Sequence, residues 1–328
     1  MGEKAYGRCG LQQQFLLMNF GYLCKKEVSL SKSIKKHWKH TVSSKKPSIR
    51  ITDYCGPVFP MLGSRSAAKK AVKAGRLFVN GRKATSDDFV EHGDLIELRG
   101  GGARDIKPYL VDLEVVYQDE YMLIINKPGG LAVNGNRYKT VENATARMNL
   151  NNPEPDALPR PISVHRIDVP TCGLVILAKT KRAQIKLSKD FQDKKISKKY
   201  LAVVHGCPLE QGRISDPIGG KKAITEYRRL NSVRSRLYEH LSLMELMPIT
   251  GRTHQLRIHL RDLGHLVAGD RMYAADTKTI WGKGLLLCAC QLQFDHPITA
   301  KKMKIQIEPP PKFKRVMDWE MSRYKLAT

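Results

Sequence analysis

The sequence predicts an α+β protein, with a small α/β unit followed by a larger unit built mainly of strands. Three observations carry this. Leu174 to Ala178 is a continuous apolar run of strand length, the pattern of a strand buried on both faces. Strand-like runs come in pairs split by short polar turns, 113–117 with 121–125 and 223–230 with 238–247. Helical periodicity is confined to short stretches at 65–74, 180–193 and after Thr250.

In chain order, residues 1–50 carry eleven Lys or Arg against Glu3 and Glu27 and show no apolar periodicity, so they read as a mobile basic arm. Residues 51–100 hold the small unit. Ser64 can cap a helix from Arg65 to Ala74 that Gly75 stops, and Arg65, Lys69 and Lys73 form one basic stripe with Lys70 beside it. Leu77-Phe78-Val79 is a strand, Asn80-Gly81 a hairpin turn, and Leu95–Leu98 a closing strand after His92-Gly93-Asp94. Pro57 and Pro60 argue against a helix before Arg65.

Residues 101–110, entered through Gly100-Gly101-Gly102, read as a linker, and 111–328 as the larger domain. Residues 134–160 are polar and Pro-rich and are expected to be irregular. Thr180 can cap a helix with Ala183, Leu187 and Phe191 on one face. Ser197–Val204 and Leu285–Phe294 read as strands, the second with Cys288 and Cys290 on one face. The helix after Thr250 groups Leu256, Leu260 and Leu263 and ends at Gly264.

Composition narrows the function. Lys plus Arg is 57 and Asp plus Glu 31, a net charge of +26, which calls for an anionic partner. Nucleic acid is the first candidate and an anionic membrane surface the second. No apolar run approaches the ~18 residues of a membrane span. The seven cysteines are scattered, with no C-x-x-C pair, and read as reduced thiols of a cytoplasmic protein. His254, His259 and His265 lack zinc-ligand spacing and are expected to be hydrogen-bonded structural residues.

The chemistry concentrates around the apolar run. His165, Arg166 and Asp168 stand within four residues, and Pro170 and Gly173 bend the chain just before the buried strand. A carboxylate there is fixed on one side and open on the other. The alternative is a local ion pair closing a turn. Tyr200, on spacing alone, reads as a half-buried strand tyrosine.

Three segments in register resemble the signature motifs of the RluA-type RNA pseudouridine synthases. They are Lys127-Pro128-x-Gly130-x-x-Val133; His165-Arg166-Ile167-Asp168 with Thr171-Cys172-Gly173-Leu174 and Ala178-Lys179; and Gly251-Arg252-Thr253-His254-Gln255-Leu256-Arg257 with His259-Leu260, Gly264, Gly269-Asp270 and Tyr273. The small unit resembles the RNA-binding domain named after ribosomal protein S-four. These resemblances imply a mixed, mostly antiparallel sheet flanked by helices, and the isomerisation of uridine in RNA to pseudouridine without cofactor or metal. They imply that Asp168 is catalytic, that Arg166 takes part in flipping the base, that Tyr200 stacks on it and that Arg257 pairs with the Asp. His165 is expected on the substrate side with them. Arg65, Lys69, Lys70, Lys73 and Lys127 are expected to contact RNA.

Chemistry agrees with the resemblance. Detaching a base from its sugar without a metal needs a positioned carboxylate, as nucleophile or as base. A stacked base must be flipped out before it can be reached. Ribosomal RNA is the expected partner and transfer RNA the second, with no membrane and no obligate protein partner. Cys172, Ile167 and Asn134 depart from the usual Ser, Leu and His; the first two are small volume changes, and the third bears on the target uridine. A non-catalytic RNA-binding or ribosome-associated factor on the same fold is the rival reading.

Overall fold

The structure, a computed structural model, describes residues 37–43, 48–59, 62, 64–99, 108–274 and 282–326. In the small domain β1 (His37–Thr41), β2 (Ile49–Arg50), α1 (Ile51–Val58), α2 (Arg65–Lys73), β3 (Leu77–Val79), β4 (Arg82–Lys83), β5 (Phe89–Val90) and β6 (Leu95–Arg99) follow one another. Four of its strands form a sheet in the order β1-β6-β3-β4. Ile51 and Cys55 of α1, Ala68, Ala71 and Val72 of α2, and Leu77, Ile96 and Leu98 of the sheet share one core.

This corrects two expectations. Part of the basic arm belongs to the fold, because β1 pairs antiparallel with β6 along its whole length and Lys39 binds Glu97 at 3.1 Å. Residues 1–36 and 44–47 of the arm lie outside the described residues. A helix also precedes Arg65 despite Pro57, which stands near its C-terminal end. Gly56 permits the pairing of α1 with α2, since a Cβ there would lie 2.9 Å from the Ser64 carbonyl carbon. The expected cap forms, Ser64 Oγ accepting from the Ala67 amide at 3.2 Å.

The larger domain continues with β7 (Glu114–Gln118), β8 (Met122–Lys127), α3 (Val141–Ala144), β9 (Ala157–Ser163), β10 (Cys172–Thr180), α4 (Lys181–Gln192), β11 (Ser197–His205), β12 (Gln211–Ile214), β13 (Thr225–Ser235), β14 (Glu239–Pro248), α5 (Gln255–Asp262), β15 (Leu287–Asp295), β16 (Lys302–Gln306) and α6 (Lys312–Lys325). Its sheet has ten strands, eight in the order β12-β13-β14-β11-β15-β10-β8-β7, with β16 on β15 and β9 on β10. Among the described residues β10 with β15 is the parallel pair and the other pairings are antiparallel, so the sheet is mixed and mostly antiparallel.

Two-residue alternation explains why β10 is apolar throughout. Leu174 and Ile176 join Met122, Ile124 and Leu187 of α4 on one face, while Val175 and Leu177 join Leu123, Ile125 and Val141 on the other. All nine residues of β10 are buried. Its large aliphatic side chains each contribute about 1.5–3 kcal/mol of transfer free energy. The same alternation operates in β11 and β14, where Ala202, Val204, Met244 and Leu246 face Leu256 and Leu260 of α5. On the other face Val203 and Leu241 meet Phe313, Val316 and Met317 of α6.

Residues 134–160, expected to be irregular, contain α3 and the start of β9. Pro159 and Pro161 fit because β9 lies at an edge and, among the described residues, pairs only with β10. The strands β12 and β16 and the helix α6 carry no strong signal in the sequence. Most of the proposed linker, 101–107, lies outside the described residues.

Candidate active site

At the seam between β10 and β15 the chain passes through Gly173 at φ 114°, where a Cβ would stand 2.3 Å from the Ala289 carbonyl oxygen. Only glycine allows this approach. Asp168 occupies the loop just before it, with its carbonyl accepting from the Thr171 amide at 3.1 Å. A cavity of about 510 Å³ opens beside this loop, its walls including Arg166, Asp168, Lys198, Tyr200, His254 and Leu256.

Lys127 clamps the Asp168 loop from below. It is fully buried, and its ammonium donates to the carbonyls of Pro128 at 2.9 Å, Leu131 at 2.8 Å and Val169 at 3.1 Å. The Gly130 amide adds a bond to the Val169 carbonyl at 2.7 Å. Burial lowers the Lys127 pKa to about 8, against the opposing pull of Cys172 and Asp168. The expectation that Lys127 contacts RNA is therefore corrected: three donors and three carbonyls leave its charge nothing to offer a phosphate.

His165 is also redirected. Its Nε2 accepts from the Ile176 amide at 2.9 Å, and its ring stacks on Phe191 of α4 with centroids 4.3 Å apart. Burial, with Lys198 nearby, drops its pKa to about 3, so it is neutral at physiological pH. It borders the cavity, but its acceptor is spent on the backbone, so it packs α4 against the loop rather than binding substrate.

The other predicted residues converge. Arg257 of α5 places Nη1 3.6 Å from Asp168 Oδ2. Its firmer partner is Asp270, which it binds in a fork with Nε–Oδ2 and Nη2–Oδ1 both at 2.7 Å. Both side chains of that pair are buried, at 3 % and 0 % exposure. The fork holds the guanidinium where its remaining nitrogen meets Asp168. Tyr200 lies on the α5 face of β11 within both adjoining cores, and burial first, then Asp168, raises the pKa of its phenol. Its neighbour Lys199 points to the opposite face and binds Glu245 at 2.6 Å. Arg166 is exposed at the cavity edge.

The three histidines of this segment stand in different surroundings. His259 and His265 are structural as expected: His259 Nδ1 meets Thr225 Oγ1 at 3.0 Å and its Nε2 the Asp216 carbonyl at 3.1 Å, while His265 Nδ1 meets the His205 carbonyl at 2.9 Å. His254 instead faces the cavity, with Nε2 3.8 Å from Asp168 Oδ1 and Nδ1 2.8 Å from the Tyr273 hydroxyl oxygen. Gln255 fixes this end of α5, its Oε1 accepting from Thr250 Oγ1 at 2.6 Å and its Nε2 donating to the Ile224 carbonyl at 2.9 Å.

The basic helix presents Arg65, Lys69, Lys70 and Lys73 to solvent, although Arg65 also binds Asp53 at 2.8 Å.

Comparison with known proteins decides the family. The family profile described as RNA pseudouridylate synthase matches residues 121–262. An RNA pseudouridine synthase of Aquifex aeolicus (strain VF5) is 32% identical over 298 residues, covering 82% of this chain and 93% of the relative. This chain belongs to the RNA pseudouridine synthases. Ribosomal large subunit pseudouridine synthase C of Rickettsia bellii (strain RML369-C) is 30% identical, over 81% of this synthase and 96% of the relative. The S4 domain profile matches residues 61–96, within the small domain. The solved structure of human RNA pseudouridylate synthase domain containing 4 shares the fold at a TM-score of 0.51 and 24% identity, covering 62% of this synthase and 92% of that chain. The synthase is thus an isomerase acting on RNA, with an S4 domain in front. Among its described residues no helix is long and apolar enough to cross a membrane.

Proposed function

We propose that this synthase isomerises uridine in ribosomal RNA, with Asp168 as its catalytic carboxylate. The observation that carries the reading is the position of that carboxylate: it faces a cavity large enough for a nucleotide, beside a guanidinium 3.6 Å away that a buried Asp270 holds in place. Asp168 is the carboxylate that acts as nucleophile or base, and Arg257 is its charged neighbour. Arg166, exposed at the cavity edge, is the side chain that enters the vacated base stack. Tyr200 keeps its proton and offers a neutral ring for the flipped base. The small domain, 37–99, supplies phosphate contact through Lys69, Lys70 and Lys73, and the catalytic domain follows the linker. Ribosomal RNA is favoured because relatives such as the Rickettsia bellii protein are named for the large ribosomal subunit. Free cysteines at 55, 172, 207, 288 and 290 suit a reducing, cytoplasmic setting.

The test is pseudouridine mapping of total RNA from cells lacking the protein, next to cells carrying Asp168→Asn. Loss of the same ribosomal RNA site in both is the expected result. A site present with Asp168→Asn refutes the catalytic role, and a lost site in transfer RNA refutes the substrate.

A further inference from the structure

Joining the sugar to carbon leaves a proton that has to go. When C5 of uracil bonds to C1′, C5 carries both its original hydrogen and the new bond. Breaking C5–H returns its electron pair to the C5=C6 double bond, and N1 takes a proton from solvent, so the isomerisation balances. This requirement holds whichever way Asp168 opens the original bond. A base near Asp168, at the position that C5 reaches after rotation, speeds this proton loss.

Among the cavity residues, Tyr200 is unsuited, because burial keeps its phenol protonated. His165 has its acceptor nitrogen on the Ile176 amide, and Lys127 lies outside the cavity, walled off beneath the loop. We infer that His254 removes the C5 proton, acting through Nε2. The inference rests on the reading of Asp168 given above.

The geometry supplies the reasons. Nε2 lies 3.8 Å from Asp168 Oδ1, too far for a hydrogen bond and close enough for one substrate atom to meet both groups. Nδ1 lies 2.8 Å from the Tyr273 oxygen, and the two rings meet edge-on with centroids 5.8 Å apart. With Nδ1–H donating to Tyr273, the lone pair is on Nε2 and faces the cavity. Tyr273 is itself fixed, by its amide donating to Asp270 Oδ1 at 3.3 Å and by the guanidinium groups of Arg257 and Arg261 at 4.9 and 5.1 Å from its ring centre. The His254 side chain is 24% exposed, which gives the proton a way out to solvent.

The backbone agrees. His254 is the residue before α5 and adopts φ 55°, ψ 21°, a left-handed conformation that costs a non-glycine residue about 1–3 kcal/mol. Its side chain makes no capping bond to the helix, so helix capping does not explain it. The strained conformation instead points the ring at Tyr273 and Asp168.

The test uses the full chain and total RNA from cells lacking the protein, labelled with 5-tritiated or 5-deuterated uridine. His254→Asn keeps a residue that tolerates the left-handed conformation and removes the base. We expect release of the C5 label to slow by roughly 10²-fold or more. A primary isotope effect on 5-deuterated RNA, larger than that of the wild type, is expected with it, while RNA binding is unchanged. In His254→Gly, added imidazole is expected to restore part of the rate. Full rate in His254→Asn, or a slowed variant with no rise in isotope effect and no rescue by imidazole, overturns the inference and makes His254 a structural residue. A separate outcome strikes Asp168: if Asp168→Asn releases label like the wild type, the reading beneath the inference fails first.

Discussion

Acid should unfold this synthase through its half-buried histidines, and His165 permits a worked number. In the unfolded chain its imidazole takes up a proton near pH 6.5; in the folded protein it resists until about 3. Between those values the unfolded state holds more protons, so stability is present above 6.5 and is lost as the pH falls toward 3. Each unit inside the window removes about 1.4 kcal/mol, so acidifying to about pH 5 removes about 2 kcal/mol. His205, stacked on Tyr238 at 4.1 Å and lowered by burial to about 4, adds a similar loss over the same range. Wild type should lose about 4 kcal/mol between pH 6.5 and about pH 5, and His165→Asn about half of that. Urea unfolding across that range measures both. The slope is the readout, since His165→Asn also loses ring packing on Phe191 at every pH. Equal slopes for the two proteins would refute a neutral His165.

Three other changes separate structural from RNA-facing roles. Gly173→Ala would place a Cβ 2.3 Å from the Ala289 oxygen at a positive φ, and should cost roughly 3 kcal/mol and lower Tm sharply; an unchanged Tm would contradict the close parallel seam. Lys127→Met strands the Pro128, Leu131 and Val169 carbonyls, and should cost roughly 3 kcal/mol in thermal or urea unfolding without changing the salt dependence of RNA binding; a reduced salt slope would return Lys127 to the RNA surface. Lys69→Ala with Lys73→Ala should reduce that slope by about two and leave stability within about 0.5 kcal/mol; an unchanged slope in filter binding would remove the phosphate role from α2.

The parts of the fold legible in the sequence are those whose signals are local. The apolar run of β10 needs cover on both faces, and Asn80-Gly81 needs the positive φ values it adopts, 47° and 80°. Ser64 and Thr180 each cap the helix that follows. What escaped depends on partners far along the chain. β1 lies in a stretch dominated by Lys and Ser, and its strand character comes from β6, more than fifty residues later. β9 holds two prolines and exists because β10 has a free edge there.

The site divides in the same way. Asp168 was legible because a short motif and a buried strand fix it locally. Arg257 was reached through the resemblance alone, and the roles of Asp270 and Tyr273 were not reached, because these three come together through the fold rather than through spacing. In a chain of net charge +26, any lysine in a motif invites an RNA contact, and only burial shows that Lys127 serves three carbonyls. The three histidines of the 254–265 segment show the same limit. Composition treats them alike, yet two spend a nitrogen on backbone carbonyls and one turns toward Asp168. Residues that hold the loop and residues that face the cavity occupy the same motifs. Side-chain type does not separate them, but the occupancy of each donor and acceptor does. A polar atom inside the cavity and not spent on the protein itself is the one left free to meet the uridine.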